Sequence, residues 1–313
     1  MLEQGRARAR RIRLAAAALT GVVAVSVALV VVNSAVRAGD GGRPAADAPA
    51  RDLAADEADL LYRAEQALVV RCMRQRGFEY QANVRDRSLE PREFPYVVDD
   101  LGWARQHGYG RELERRLEAA ADADPNEKRF KQLAPDRRAA ALDALNGAPT
   151  KDPAVMLTAR LPSGAVLHRN GRSCTSQAQQ DLYGDLARWY QVSLATDDMV
   201  GLRYAMVHED ARFTAATAAW SRCMRQAGYQ VDKPGQAQES VPRSAEPAVR
   251  QQEIRTAVAE AECANSTPLA ATARELDDHY RQVVRDQYPA DFADWRRLRV
   301  AALPRAHAVD AQA

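Results

Sequence analysis

Residues 71–78 read RCMRQRGF, and residues 222–229 repeat them almost letter for letter as RCMRQAGY. A glycine just past the last helical residue adopts a left-handed conformation without steric cost, and the residue after it commonly packs on the last turn. Each octapeptide therefore predicts the end of a helix, closed by Gly77 in the first copy and by Gly228 in the second.

The same cap predicts a hydrophobic contact within each copy. If Gly77 is the first residue beyond the cap, Met73 and Phe78 occupy the two positions that touch in the Schellman motif. The corresponding residues of the second copy are Met224, Gly228 and Tyr229. These six residues are predicted to be scaffold, and the capping chemistry leaves only the cysteine of each copy unexplained.

The helix upstream of each motif repeats as well. Asp59 and Asp210 each precede the motif cysteine by 13 positions and are predicted N-caps. The bulky apolar residues that come after them share one helical face with the cysteine, so each cysteine is predicted to face a core rather than to be a reactive or metal-binding thiol. The matched apolar positions are Tyr62 and Val69 in the first copy and Phe213 and Trp220 in the second.

The N-terminal segment predicts a membrane anchor. Residues 1–13 form a basic segment with five arginines and one glutamate, and residues 14–36 contain no charged residue. About 20 apolar residues span a bilayer core, whereas the apolar region of a cleaved signal is about 7–15 residues long. The length favours an uncleaved anchor with a cytoplasmic N-terminus. Cleavage near Ala38, which would release a secreted protein, remains the alternative.

The rest of the chain divides into a tether and one folded region. Residues 37–57 are rich in Gly, Pro, Ala and Asp and predict a flexible linker. Residues 58–303 are predicted to form an extracytoplasmic helical domain with repeat-like halves at about 58–195 and 205–303. The segment 233–247 holds three prolines and a glycine and predicts a surface loop.

The cysteines predict two disulfides in this oxidising compartment. Four cysteines allow three pairings, and the motif cysteines start each repeat, which favours Cys72–Cys174 and Cys223–Cys263. Neither paired-cysteine nor histidine-rich spacing is present, so no metal and no cofactor are predicted. With a long loop closed by each bond, each should stabilise the fold by about 4 kcal/mol.

The pattern of the remaining chain predicts a mainly α fold with one small β-hairpin. Residues 154–168 alternate apolar and polar side chains around a Pro-Ser-Gly turn, which is typical of a hairpin. A helix is expected to begin at Cys174, with Leu182, Leu186 and Trp189 on one apolar stripe. The last helix is expected to end before Pro304.

Net charge excludes one class of partner. The formal charge of the chain is +2, of which residues 1–13 supply +4, so the remainder is near −2. A nucleic-acid-binding domain needs a basic stripe or patch. We therefore predict no nucleic-acid partner for the folded region. The predicted partners are the membrane, through the N-terminal helix, and an envelope protein or cell-wall polymer.

Several short strings occur in one order and resemble a group of exported or membrane-anchored helical proteins of actinobacteria. The strings are the two Cys-Met-Arg motifs, Gly108-Tyr109-Gly110, Asp124-Pro125-Asn126, Ala144-Leu145-Asn146-Gly147 and Leu182-Tyr183-Gly184-Asp185. The resemblance covers residues 58–285 and implies an extracytoplasmic location and disulfides, but no activity. Ser173 and Ala134 depart from the pattern of that group without affecting the cysteines.

The sequence predicts a non-enzymatic binding or interaction module of the cell envelope. A carboxylate-dependent cell-wall hydrolase is the first alternative, because acidic pairs are plentiful. An accessory subunit of an envelope transporter or signalling complex is the second. A recognition face of Trp103, Tyr109, Trp189 and Tyr190 is a further option, although aromatic residues at helical spacing more often belong to a core. The acidic pairs are Asp99-Asp100, Asp197-Asp198, Glu209-Asp210 and Asp277-Asp278.

Overall fold

The computed structural model describes residues 50–83, 86 and 92–312. The predicted basic segment, the predicted span at 14–36 and most of the predicted linker lie outside the described residues. Within the described part, no helix has both the length and the apolar character needed to cross a bilayer. All of the described helices and strands belong to one compact unit.

The described residues form twelve helices and one two-stranded antiparallel hairpin, which confirms the predicted mainly α class. The first five helices precede the hairpin and the other seven come after it. The bounds are α1 Ala55–Gln75, α2 Leu101–His107, α3 Arg111–Asp122, α4 Pro125–Gln132, α5 Pro135–Asn146, β1 Met156–Arg160, β2 Val166–Asn170, α6 Cys174–Tyr183, α7 Leu186–Glu209, α8 Ala211–Gln226, α9 Gln236–Ser240, α10 Pro247–Ser266, α11 Leu269–Gln287 and α12 Pro289–Asp310.

Both repeated motifs end their helices in the predicted way. Phe78 N–H donates to Met73 O at 2.9 Å, and Gly77 N–H donates to Arg74 O at 3.0 Å. These are the two hydrogen bonds of a Schellman motif, and Gly77 has a φ of 77°. The second copy repeats them, with Tyr229 N–H donating to Met224 O at 2.8 Å. Both methionines are fully buried, so each motif anchors a helix end in a core.

The first core forms where α1 packs against α6 and α12. The buried residues of α1 recur three or four positions apart, as in Leu61, Ala64 and Leu68, which gives one continuous apolar face. The bond Cys72–Cys174 joins this face to the first turn of α6, with a Cα–Cα distance of 5.5 Å. The first predicted disulfide is therefore confirmed, and it staples together two helices through cysteines that lie 102 positions apart in the chain.

The second core forms between α8, α10 and α11. Trp220 and Met224 of α8 are fully buried there, together with Leu276 of α11. The bond Cys223–Cys263 joins α8 to α10 with a Cα–Cα distance of 5.7 Å, which confirms the second predicted pairing. Each motif cysteine thus links its helix to a partner helix of its own core cluster.

The hairpin is placed as predicted, with a shift of two residues at each end. Its register pairs Met156 with Asn170 and Arg160 with Val166. Leu161 N–H donates to Ala165 O at 2.8 Å and so closes the turn. Gln191 of α7 accepts from Arg160 N–H at 2.9 Å and donates to Arg160 O at 2.8 Å, which docks the hairpin on α7.

The predicted N-cap at Asp59 is wrong, although Asp210 does cap α8. Helix α1 begins at Ala55, so Asp59 lies in its second turn. Glu57 takes the capping role instead, because its Oε2 accepts from Ala54 N–H at 2.8 Å. Hydrogen bonds from Arg51, and then from the Ala54 backbone, lower the pKa of the Glu57 carboxyl to about 2.

Two predicted helix boundaries also differ from the structure. The helix from Cys174 stops at Tyr183, because Gly184 has a φ of 83° and Asp185 caps a new helix by accepting from Arg188 N–H at 2.9 Å. At the C-terminus, α12 continues through Pro304 to Asp310. A proline inside a helix costs about 3 kcal/mol. Burial of the next turn of α12 against the first core offsets that cost.

Candidate functional site

The aromatic residues singled out from the sequence do not form one surface. Trp189 and Tyr190 are buried, and the Trp189 ring stacks on Tyr183 with centroids 3.6 Å apart. Trp103 of α2 packs beside His107 at 4.3 Å. Tyr109 lines a cavity, whereas the tryptophan and tyrosine of α7 are buried and are better interpreted as core residues.

A two-lobed cleft lies on either side of the segment Arg92–Val97, which crosses the surface between α7, α10 and α11. One side, the Glu260 lobe, has a volume of about 580 Å³. The other side, the Asp277 lobe, has a volume of about 410 Å³. Both fall within the range of about 300–1,000 Å³ that small-ligand pockets occupy. The segment and Tyr204 of α7 line both lobes, so the two cavities adjoin at the segment.

Glu260 of α10 lies at the buried end of its lobe. Its Oε1 accepts from Val98 N–H at 3.2 Å, and its Oε2 accepts from Tyr109 O–H at 2.7 Å. The side chain is 2% exposed, and this burial raises the pKa of its carboxyl to about 7, against the two hydrogen bonds that lower it. With this pKa, the Glu260 carboxyl changes charge near neutral pH.

The Gly108-Tyr109-Gly110 turn holds the phenol of Tyr109 in this position. Tyr109 N–H and Arg111 N–H both donate to Glu253 Oε1, at 3.0 and 3.2 Å. Burial, together with the neighbouring Glu260, raises the pKa of the Tyr109 phenol well above its usual value. A Cβ on Gly108 would lie 2.9 Å from the Glu253 side chain, so the turn needs glycine there. Glu253 and Glu260 of α10 together fix the wall of the lobe.

The Asp277 lobe contains a compact charged cluster. Tyr96 O–H donates to Asp277 Oδ1 at 2.5 Å, and Arg203 Nε lies 2.9 Å from the same oxygen. Arg281 pairs with the other oxygen of Asp277. Burial and the Asp277 carboxylate raise the pKa of the Tyr96 phenol above its usual value. Asp277 thus accepts a hydrogen bond from Tyr96 and forms ion pairs with two arginines, which identifies it as a structural ion-pair centre.

Aromatic rings pack along the cleft, and those of Phe94, Tyr204 and His208 are half-buried or exposed. Tyr96 packs edge-on against Tyr204 at 5.5 Å, and the exposed His208 packs edge-on against Phe213 at 4.9 Å. Arg92 lies over the ring of the half-buried Phe94 at 5.0 Å. Aromatic rings flanked by polar groups combine apolar contact area with hydrogen bonding, as binding sites for extended ligands require.

The acidic pairs predicted from the sequence have structural partners. Asp100 and Asp210 are N-caps of α2 and α8, and Asp198 accepts from Ser163 N–H at 2.8 Å. Asp99 forms an ion pair with Arg274 at 2.6 Å. Two of the four pairs therefore contain a helix N-cap. In the part of the chain that the structure covers, no three His, Cys, Asp or Glu side chains are grouped to hold a metal ion.

The principal acid of the cleft, Glu260, was not predicted from the sequence. A usable signal existed, because residues 257–264 read AVAEAECA and place Glu260 on a helical face of alanines with Cys263. Glu253, one heptad earlier on the same face, is buried too. A carboxylate repeated at seven-residue spacing on an alanine face indicates a buried acid that needs fixed donors.

The chain matches no protein-family model, and comparison with curated proteins and with solved structures gives no significant match. Function is therefore inferred from the geometry of the two cores and the cleft.

Proposed function

We propose that this protein is a membrane-anchored, extracytoplasmic binding module of the cell envelope that holds its partner in the two-lobed cleft. The observation that carries the proposal is the pair of adjoining cavities that share the segment Arg92–Val97. Its rings and flanking polar groups suit a sugar polymer or an extended protein segment. The anchor at residues 14–36 would keep this cleft close to the membrane surface.

Two disulfides support the location outside the cytoplasm. Disulfides persist in oxidising compartments and are rare where thiols are kept reduced. Both bonds join helices of a core cluster, and no free cysteine is left in the sequence. This arrangement agrees with the five arginines before residue 14, which favour a cytoplasmic N-terminus.

Photo-cross-linking from the cleft tests the proposal. A benzophenone amino acid would replace Phe94 or Gln238, which line the cleft, in the full chain expressed in its membrane. Val166 of the hairpin is 43% exposed and lies away from the cleft, so the same substitution there is the matched control. We expect adducts from positions 94 and 238 only. Equal adducts from all three positions would contradict a cleft-bound partner.

The nature of the adduct separates the candidate partners. A wall-polymer adduct should collapse after digestion with a muramidase, whereas a protein adduct should collapse after proteolysis. A discrete protein adduct would favour the interpretation as an accessory subunit of an envelope transporter or signalling complex. In that case the protein would still be a binding module, and its partner would be another protein of that complex.

One observation favours the hydrolase alternative. Glu260 has a pKa of about 7, which suits a general acid, and Glu114 lines the same lobe. Both oxygens of Glu260 are nevertheless occupied by protein donors, so we favour binding over catalysis. Release of soluble fragments from labelled peptidoglycan by the full chain, lost in Glu260→Gln, would overturn this choice.

A further inference from the structure

A second groove lies between α7, α11 and α12, on the far side of the Asp277 cluster from the cleft. Its volume is about 370 Å³. Its floor is apolar, and Val200 within it is 38% exposed, one of three large apolar side chains so exposed in the described residues. The floor residues are Met199, Val200, Val284, Phe292 and Trp295. We call this feature the arginine groove because of its rim.

Four arginines and a single acid line the rim of the arginine groove. Arg203 and Arg281 form ion pairs with Asp277, and Arg281 also lies 3.2 Å from Asp278. Arg296 forms two hydrogen bonds with Asp52, at 2.8 and 3.1 Å. Three of the four guanidinium groups are thereby neutralised by carboxylates of the protein itself.

Arg285 is the exception. No carboxylate of the described residues pairs with it, and its buried Nε has no hydrogen-bond acceptor there. Its guanidinium carbon lies 6.0 Å from the centroid of the Phe292 ring, at the edge of the apolar floor. A buried donor without an acceptor is costly, and an anion in the groove next to Arg285 would supply an acceptor.

The floor restricts what the anion can be attached to. Thr196, the uncharged polar residue of the lining, already donates its hydroxyl to Val192 O at 2.7 Å. The peptide groups of a bound polypeptide would find few partners on such a floor and would lose their hydration. An acyl chain has no polar groups to desolvate, and each of its methylenes that leaves water favours binding.

We propose that the arginine groove binds a single-chain anionic amphiphile, a fatty-acid carboxylate whose chain lies on the apolar floor and whose head group pairs with Arg285. Planar guanidinium groups bind carboxylates through paired hydrogen bonds, which suits the geometry of this head group. The groove shares Arg203 and Arg281 with the Asp277 lobe, but Arg285 and the apolar floor do not line the cleft.

The test uses the full chain in nanodiscs of zwitterionic phosphatidylcholine and a diazirine-bearing palmitate as the probe. After irradiation, mass spectrometry locates the labelled peptides. We expect label on the peptides that contain Val200 and Phe292, and competition by unlabelled palmitate but not by hexadecanol. Label elsewhere, or equal competition by the neutral alcohol, would overturn the proposal.

Two variants, each with a control, test whether labelling depends on the charge of Arg285 and on the apolar floor. Arg285→Gln should lower labelling at least tenfold, because loss of a hydrogen bond to a charged group lowers a binding constant by a factor of about ten or more. Arg116→Gln, a change of an arginine of α3 away from the groove, is the matched control and should label like the wild type. Val200→Asp places a carboxylate at an exposed floor position and should lower labelling, whereas Val200→Leu should preserve it. Undiminished labelling of Arg285→Gln would refute the assignment.

Discussion

At the residue scale, the burial of one carboxyl group couples the stability of the fold to pH. The pKa of Glu260 is about 7 in the folded protein, against 4.5 for an ordinary glutamate. Between these values the folded protein holds a proton that the unfolded chain releases, so the free energy of unfolding falls as pH rises. The contribution is fully present below about pH 4.5 and is lost as pH rises through about 7.

Glu260→Gln should remove this pH dependence. Glutamine stays neutral, its Oε1 can accept from Val98 N–H, and its amide can donate to the Tyr109 hydroxyl. The stability difference between variant and wild type should therefore shift in favour of the variant between about pH 5 and pH 8, by up to about 3 kcal/mol. Urea unfolding at both pH values measures the shift. A difference that stays constant with pH would show that Glu260 is not the titrating group.

The residue scale is also where prediction from sequence works for local chemistry and fails for long-range contacts. The Schellman caps at Gly77 and Gly228 were predictable because every contact lies within about six residues. The partners of Glu260 come from Val98 and Tyr109, which lie 162 and 151 positions away. Neither the burial of Glu260 nor its altered pKa follows from its own neighbourhood in the sequence.

At the element scale, α12 shows how tertiary packing overrides a helix-breaking residue. Ala302 and Ala306 flank Pro304 and are both fully buried. Arg305 Nε donates to Leu182 O at 2.6 Å and ties the end of α12 to α6. A proline ends a helix in the absence of other forces, which is why the predicted domain boundary at 303 falls inside α12 rather than at its end.

Truncation tests the contribution of this last stretch of helix. Removal of residues 304–313 deletes the buried Ala306 and the hydrogen bond of Arg305, and should lower the free energy of unfolding by about 2 to 4 kcal/mol. Removal of residues 311–313 deletes only the three positions beyond α12 and is the control, expected within about 0.5 kcal/mol of the full chain. Chemical denaturation compares the two. Equal stability of both truncations would show that the helix after Pro304 contributes nothing.

At the scale of the whole molecule, the two disulfides act on two different cores. The loop closed by Cys72–Cys174 spans 102 positions, and the loop closed by Cys223–Cys263 spans 40. Loop-closure entropy grows slowly with length, so the expected stabilisation is about 5 kcal/mol for the longer loop and about 4 kcal/mol for the shorter. The predicted duplication of complete halves stays a prediction. Helix α12 of the second half packs on α1 of the first, so the first core takes residues from both halves.

Paired serine substitutions measure these contributions separately. Replacing Cys72 and Cys174 together should destabilise the fold by about 5 kcal/mol, and replacing Cys223 and Cys263 together by about 4 kcal/mol. Substitution in pairs avoids leaving a free thiol that could form a wrong bond. Urea unfolding of the two variants and the wild type under non-reducing conditions gives both values. A much larger loss from the shorter loop would show that packing around the bond, rather than chain entropy, sets its contribution.

The disulfides would also report the orientation of the proposed anchor, because disulfides persist in oxidising compartments and are rare where thiols are kept reduced. In the wild type we expect no cysteine to react with maleimide after denaturation without reductant. Replacement of the five arginines before residue 14 by glutamine removes the charge asymmetry that favours a cytoplasmic N-terminus. A fraction of that variant should then insert in the opposite orientation, and its four thiols should react.

A variant with five exposed arginines of the folded domain replaced by glutamine is the control for this experiment, and its thiols should stay unreactive. The same samples distinguish an uncleaved anchor from a cleaved signal. An uncleaved anchor leaves the protein in the membrane fraction with its N-terminus intact, whereas cleavage near Ala38 releases a soluble product whose sequence begins there. Reactive thiols in the wild type would place the domain in a reducing compartment, and the extracytoplasmic assignment would have to be abandoned together with the envelope partners proposed for the cleft.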